Sequence, residues 1–338
     1  MERDNKKLNI VIIVLLFAIV LMTVLALIGL KNAKEELETD SLVETESQTE
    51  TTEKWQEGAI SYNGKKYRYN SSIKSYLIMG IDKDEKVTTA KDGISGGQSD
   101  ALFLVVENGK TKEFSVIAIN RNSMTTIDVY DKEGSYIGKA TAQICLQHGY
   151  GDGKRVSCQR SADAVSKMFY NIPISGYFAL NMGGISLMNE AVGGVEVEVL
   201  HDIETKNASL KQGDIVTLNG EEAYAYLRSR DVNEFDSATY RLERQKQYII
   251  QLVERMKEMA AQDEKSLFRV YSSIEDYTVS NIDFADLIED AAKYEFDESH
   301  LYTVPGETVM GEQFEEYYID EDGLYELIIE VFYECIEE

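Results

Sequence analysis

Seven charged side chains in this chain have the types and spacing that phosphate chemistry needs. Five are arginines. Arg121 follows the run FSVIAIN, Arg228 and Arg230 stand in AYLRSRD, and Arg241 and Arg244 stand in YRLERQ with Gln245 beside them. Four of the five fall within the seventeen residues 228–244. Spacings of three and four place Arg241, Arg244 and Gln245 on one face of a helix. A guanidinium is a planar fork of donors that never loses its charge and grips phosphate through two bonds at once. A cluster on one face therefore suits a phosphate or diphosphate. Salt bridges to the nearby Asp231, Glu234, Asp236 and Glu243 are the competing use of the same arginines. The other two residues are Asp82, at the end of SYLIMGID, and Asp100, at the start of the ALFLVV run. If those two runs are neighbouring strands, both carboxylates sit at one loop-bearing edge. Two carboxylates with open positions suit Mg²⁺ (or Mn²⁺), which keeps waters and takes phosphate oxygens as its remaining ligands. The other reading is two solvated turn residues in a chain with 60 acidic side chains.

The elements that must position these groups can be read from hydrophobic patterning. AISYNGKKYRY holds two alternating runs around Asn63-Gly64, a hairpin signal. SYLIMGID (75–82) reads as a buried strand, and residues 83–99 as a polar, glycine-bearing loop. ALFLVVENGKTKEFSVIAIN (101–120) reads as strand, turn and strand, so nearly continuous in apolar residues that both faces should be covered. Helix and strand then alternate. Helices are expected at 159–171, over ISLMNEAV, from 220–227 and at 239–260; strands are expected at 176–181 and 193–200. Two last helices, near 283–294 and 322–336, should flank a short strand at HLYTV. Hairpins mixed with β-α units predict an α/β domain with a mixed central sheet and helices on both faces, starting near Gly58.

Ahead of that domain, residues 8–30 form 23 consecutive uncharged, largely apolar residues, long enough to span a bilayer core of about 30 Å. The run is too long for the apolar part of a signal peptide. Arg3, Lys6 and Lys7 before it outnumber Lys31 and Lys34 after it. The expected arrangement is a cytoplasmic tail (1–7), a transmembrane helix (8–30) and an external body. Residues 31–57 are rich in Glu, Thr and Ser and poor in apolar residues, so they read as an acidic linker outside the membrane. The whole chain carries a net charge of −26; the first thirty residues hold +1, leaving −27 on the rest. A body that acidic repels nucleic acid, and any anionic ligand must be held by a local concentration of arginines. Of three cysteines, Cys145 and Cys158 can pair outside the membrane while Cys335 stays free; three unrelated thiols are the alternative. No CxxC, P-loop, GxSxG or strand-linked GxGxxG is present.

Taken in order, YLIMGID, SDALFLV, VIAINRNSM, the YGDG turn, EAVGGVEVEV, LNGEEAYAYLRSRD and YRLERQKQ resemble the LytR-CpsA-Psr domain. The resemblance runs from about residue 73 to 262, and the last three segments together are highly specific. It implies a phosphotransferase of the Gram-positive envelope, anchored in the cell membrane, with its catalytic domain outside. Such an enzyme moves a glycopolymer phosphate (wall teichoic acid, capsule or similar) from a polyprenyl diphosphate carrier to peptidoglycan. By position, Asp82 and Asp100 match the family's metal-binding aspartates. Arg121 matches the arginine of its arginine-aspartate motif. Arg228, Arg230, Arg241 and Arg244 match its diphosphate-gripping arginines, with Gln245 alongside. Two departures stand out: Asn122 where the family has aspartate, and Lys246 where a second glutamine is common. Asn122 supports one rival expectation, a non-catalytic binder of polyprenyl-linked glycans or wall polymer; another is a hydrolase, in which the same site admits water and cleaves the diphosphate.

Overall fold

The computed structural model describes residues 58–231, 234–263, 265–282 and 295–337. The segments read as cytoplasmic tail, membrane span and linker, and the helix expected near 283–294, lie outside the described residues. Among the described residues no helix is long and apolar enough to cross a membrane.

The first hairpin forms at Asn63-Gly64, where both residues take positive φ (48° and 78°), the conformation a two-residue turn needs. It joins β1 (Ala59–Tyr62) to β2 (Lys65–Tyr69). Three long apolar strands follow: β3 (Ile73–Ile81), β4 (Ser99–Asn108) and β5 (Glu113–Ile119). Then come the hairpin β6 (Met124–Tyr130) and β7 (Tyr136–Gln143), helix α1 (Arg155–Met168), β8 (Gly176–Asn181) and α2 (Gly184–Ala191). Short strands β9 (Val195–Glu198), β10 (Ile203–Glu204), β11 (Ser209–Leu210) and β12 (Ile215–Leu218) lead into α3 (Gly220–Arg228). The long α4 (Ser237–Gln262), α5 (Ser266–Ile274), β13 (Thr278–Ser280) and β14 (Glu295–Thr303) come next. The chain ends with the hairpin β15 (Gly306–Met310) and β16 (Glu315–Ile319), α6 (Glu321–Phe332) and β17 (Tyr333–Glu337).

The central sheet has the strand order β13-β8-β3-β4-β5-β14. It is mixed: β3, β4 and β5 run antiparallel in turn, while β8 is parallel to β3 and β14 parallel to β5. The nearly unbroken apolar character of β3, β4 and β5 is explained by burial on both faces. Leu77, Leu102, Leu104 and Ile117, all at 0% exposure, pack toward α1 and α6. Tyr76, Phe103, Val105, Val116 and Phe178 pack toward α2, α3, α4 and α5. The expected mixed sheet with helices on both faces is the fold observed.

Two expectations are corrected. Cys145 and Cys158 are both free and buried, as separate thiols. The Cys145 sulfur lies 3.8 Å from Gln98 Oε1, and the Cys158 sulfur lies 3.7 Å from His148 Nε2. Each thiol has a polar partner of its own, and burial pushes the Cys145 pKa up to about 11 and that of Cys158 higher still. The last helix also stops at Phe332 instead of running to 336, because Tyr333–Glu337 pairs antiparallel with β2 and adds a third strand to the first hairpin.

Candidate functional site

Strands β3 and β4 are neighbours, with Gly80 opposite Ala101 and Ile81 opposite Ser99. That pairing brings Asp82, just past β3, and Asp100, second in β4, to one end of the sheet. The loop between them closes back on Asp82. The Gln98 N–H donates to Asp82 Oδ1 at 2.6 Å, and the Asp82 N–H donates to the Gln98 carbonyl at 3.0 Å. Gly97 makes this possible: its φ is +88°, and a Cβ there would come within 2.9 Å of Asp82 Oδ1. Burial raises the Asp82 pKa, with Asp100 adding to the rise and the Gln98 N–H opposing it.

Asp100 is the hub. Its Oδ1 is 2.7 Å from Arg121 Nε and its Oδ2 is 2.9 Å from Arg241 Nη1. Arg121 arrives from the turn after β5, and Arg241 from the first turns of α4. The three side chains are 6–14% exposed, so the pairs sit in a largely water-poor place. Burial lowers the Arg241 pKa, and Asp100 counters it. Arg121 also donates to Gln98 Oε1 and, at 3.2 Å, to Asn122 Oδ1. Asn122 itself is 2% exposed; its N–H donates to Asn120 Oδ1, and its carbonyl accepts from the Tyr317 N–H. At this position asparagine thus still offers Arg121 an acceptor.

The remaining arginines take different places. Arg230 faces Glu315 Oε2 at 3.9 Å and is close enough to Arg241 to lower its pKa. Arg244 is 3% exposed and is spent on backbone. Its Nε donates to the Tyr226 carbonyl at 2.8 Å and its Nη2 to the Ser229 carbonyl. Burial brings its pKa down to about 10, still cationic at neutral pH. Gln245 donates to the Leu227 carbonyl at 3.2 Å. Arg244 and Gln245 therefore fix the end of α3 against α4. Arg228 is the outlier: 44% exposed, it pairs with Asp84 at 3.5 Å and donates to Tyr224 Oη. Lys246, the second departure, bonds Glu243 and, at 3.1 Å, Thr303 Oγ1, tying α4 to β14.

Several contributors lay beyond reach of the sequence. Gln98 bridges Asp82, Arg121 and Cys145 from a polar loop. Glu315, from the β15–β16 hairpin, accepts the Asp236 N–H at 2.7 Å through Oε1 while Oε2 faces Arg230. Below the charged cluster is an apolar cavity of about 170 Å³. Gly80, Ala101, Leu227 and Gln245 line it, each one or two residues from Asp82, Asp100, Arg228 or Arg244; Phe103, Phe178 and Tyr248 lie among the residues that line the rest. No residue in that lining is unusual for a core, so nothing in the sequence marks it as a cavity. A second recess, of about 260 Å³ between α4 and β14, shares Phe103, Val116, Ile249 and Val253 with it.

Among the described residues no three His, Cys, Asp or Glu side chains converge as metal ligands. Asp82 and Asp100 still suit Mg²⁺, which needs only one or two carboxylates when phosphates complete its shell. Burial and the charge of Asp100 together disfavour the anionic form of Asp82.

The LytR_cpsA_psr family model matches residues 34–328. A polyisoprenyl-teichoic acid–peptidoglycan teichoic acid transferase, TagU of Enterococcus faecalis, is 26% identical over 285 residues, which is 84% of this chain and 83% of that protein. TagU of Halalkalibacterium halodurans is 30% identical over 156 residues; that match spans 46% of this chain and less than half, 44%, of the relative. Among solved structures, a Streptococcus agalactiae protein aligns with a TM-score of 0.61 at 20% identity, over 77% of this chain and 87% of that one. TagV of B. subtilis aligns with a TM-score of 0.56 at 22% identity, over 77% and 96%. At such identities the structural likeness speaks for the fold.

Proposed function

Since the chain belongs to the LytR-CpsA-Psr family, we propose that it is a phosphotransferase moving a glycopolymer phosphate from a polyprenyl diphosphate carrier to peptidoglycan. The observation that carries this reading is one juxtaposition. Arg121 and Arg241 converge on Asp100, at the end of the two strands whose Gly80 and Ala101 line an apolar cavity. A lipid diphosphate has that same order of parts: an apolar tail, then a compact dianion. In a chain of net charge −26, a dianion needs such a local concentration of positive charge. The relatives named as teichoic acid transferases support teichoic acid as the polymer class.

In this reading the tail enters the cavity and the diphosphate lies against Arg121, Arg230 and Arg241, with Arg228 at the exposed rim. Asp82 and Asp100 would hold Mg²⁺ or Mn²⁺, which when bound supplies further charge neutralisation at the phosphate oxygens. A peptidoglycan hydroxyl attacks the phosphorus that bears the glycan. The new O–P bond forms as the P–O bond to polyprenyl phosphate breaks, and the leaving phosphate oxygen takes up the hydroxyl proton. Phosphoryl transfer asks the protein for position and charge, not covalent help. Asp100 matters here because it holds two guanidinium groups in place before the ligand arrives. Arg244 and Gln245 act one step back, by holding the backbone that presents Arg228 and Arg230. Residues 8–30 would anchor the chain in the cell membrane with this site outside, beside its lipid substrate.

The test is release of polyprenyl phosphate by the full chain given a polyprenyl-diphosphoryl glycan, with and without peptidoglycan. Acceptor-dependent release that stops on chelation of divalent cations is expected. Release without acceptor would make the protein a hydrolase, and tight binding without release a binder. Asn122 bears on that choice. Asn122→Asp keeps the acceptor that Arg121 already uses and adds a charge, so turnover should hold or rise up to about tenfold, the worth of one charge-assisted hydrogen bond. A fall in turnover for a folded N122D protein would contradict the placement of Arg121 on the substrate.

A further inference from the structure

On the far side of Arg230 and Arg244 from the apolar cavity lies a polar recess of about 420 Å³, larger than the cavity itself. The segment 227–230 and the start of α4 form the wall between the two: Leu227 and Gln245 face the cavity, whereas Ser229, Arg230 and Arg244 face the recess. Arg230, which the reading above sets against the diphosphate, thus stands between an apolar space and a polar one, the order of parts in a lipid–diphosphate–sugar molecule.

The lining of the recess combines rings and hydroxyls with charged groups of both signs. Two aromatic rings, His201 and Tyr240, stack in its lining with centroids 4.9 Å apart and an interplanar angle of 33°. Ser237, at 4% exposure, also lines it, and its Oγ has no hydrogen-bond partner among the described residues. The Nδ1 of His201 is buried and unpartnered in the same way. A buried hydroxyl without a partner is costly and uncommon, and here it borders an open space. Burial and the neighbouring Arg244 hold the His201 pKa below its ordinary value, so at neutral pH the ring is uncharged and one nitrogen is free to accept a bond. Asp202, Glu204, Asp231 and Glu234 also line the recess, against two arginines; Lys211 offsets part of this by pairing with Asp202 and Glu204 at 3.3 and 3.8 Å. An additional anionic group on the ligand would meet that surplus of carboxylates.

We propose that this recess binds the first sugar ring of the donor, the one bonded to the diphosphate, and favours a neutral or amine-bearing sugar over a uronate. Ser237 and His201 would meet ring hydroxyls, and Tyr240 would offer its face to the ring's C–H surface. The proposal rests on the lipid diphosphate reading above, and one experiment separates the two. The full chain in detergent micelles is titrated with polyprenyl diphosphate and with polyprenyl-diphosphoryl-N-acetylglucosamine. The sugar-bearing lipid is expected to bind at least about tenfold more tightly, the worth of one or two hydrogen bonds and a stacked ring. Ser237→Ala and Tyr240→Leu should each erase most of that difference and leave binding of bare polyprenyl diphosphate as it was. Ser237→Ala should also hold or raise the melting temperature, because it removes an unpaired hydroxyl; a merely structural serine would lower it. If both lipids bind equally, or the difference survives both substitutions, the sugar site is wrong while the diphosphate site stands. If a peptidoglycan disaccharide, not the donor sugar, loses affinity in the variants, the recess belongs to the acceptor and the proposal fails. If neither lipid binds, the functional reading falls with it.

Discussion

Replacing Asp100 with alanine is expected to lower stability by about 3–5 kcal/mol and turnover by at least about a hundredfold. The two losses have one origin. Asp100 forms an ion pair with Arg121 through one oxygen, at 2.7 Å, and accepts a hydrogen bond from Arg241 on the other, at 2.9 Å, and all three side chains are largely buried. Taking away the carboxylate leaves two guanidinium groups short of water and without their shared counter-charge, the situation in which breaking a buried pair is most costly. The same change frees both arginines to swing out of the positions from which they would meet the diphosphate. Arg228→Ala makes the contrast. Arg228 is 44% exposed and pairs with an Asp84 that is 58% exposed, so its loss should leave the unfolding midpoint within about 0.5 kcal/mol of the parent. Turnover should still drop about tenfold if Arg228 touches the substrate at the rim. Denaturant unfolding and polyprenyl phosphate release, measured on the same preparations, separate these outcomes. An Asp100→Ala protein with the parent's midpoint and more than a tenth of its turnover would remove Asp100 from the centre of the site. Asp100→Asn serves as the control of unchanged volume, and should fall between the two.

What could be read from residues alone follows a physical line. β3, β4, β5 and β8 were legible because burial on both faces demands apolar side chains along the whole strand. The first hairpin was legible because few dipeptides other than Asn-Gly tolerate positive φ at both positions. The hairpins β6–β7 and β15–β16 left no such mark. In MTTIDVY only Ile127 is fully buried and in YIGKATAQ no residue is, so no apolar stripe exists to count. They are held by their own ladders and by contacts such as Tyr317 N–H to the Asn122 carbonyl. The same hairpin brings Glu315 to Arg230, from outside the 73–262 segment that carries the family likeness. Glu315 is one of 60 acidic residues, and its contact with Arg230 is made by tertiary packing alone. The end of α6 was misread for a related reason: Tyr333–Glu337 is strand only because β2 offers an edge to pair with. The arginines were legible by type and spacing, but not their division of labour. That Arg244 would be spent on the Tyr226 and Ser229 carbonyls follows from how α3 meets α4, which helical periodicity does not specify.

The apolar cavity, invisible in the sequence, supports the second large effect: Ile249→Trp should cut affinity for a long-chain polyprenyl donor by at least about a hundredfold. Ile249 lies on α4 one turn beyond Gln245, about 6 Å further along the helix axis, and lines both the cavity and the recess between α4 and β14. An indole there fills space along the wall that the two spaces share, where the proposed tail would run. Each CH₂ kept from burial forfeits about 0.8 kcal/mol, so excluding one five-carbon unit loses about 4 kcal/mol before any relaxation. Partial rearrangement of the partly buried site reduces this, which leaves a hundredfold as the lower figure. The charged cluster is untouched, since Asp100, Arg121 and Arg241 make none of their contacts with residue 249. A donor carrying a single five-carbon unit ends about where residue 249 begins, so its affinity should change by less than about threefold. Filling existing space with an apolar ring should also keep or raise the melting temperature. Titrating the folded variant with long-chain and five-carbon donors reads the difference directly. Equal losses for both chain lengths would point to general damage, and an undiminished affinity for the long chain would mean that the tail lies elsewhere.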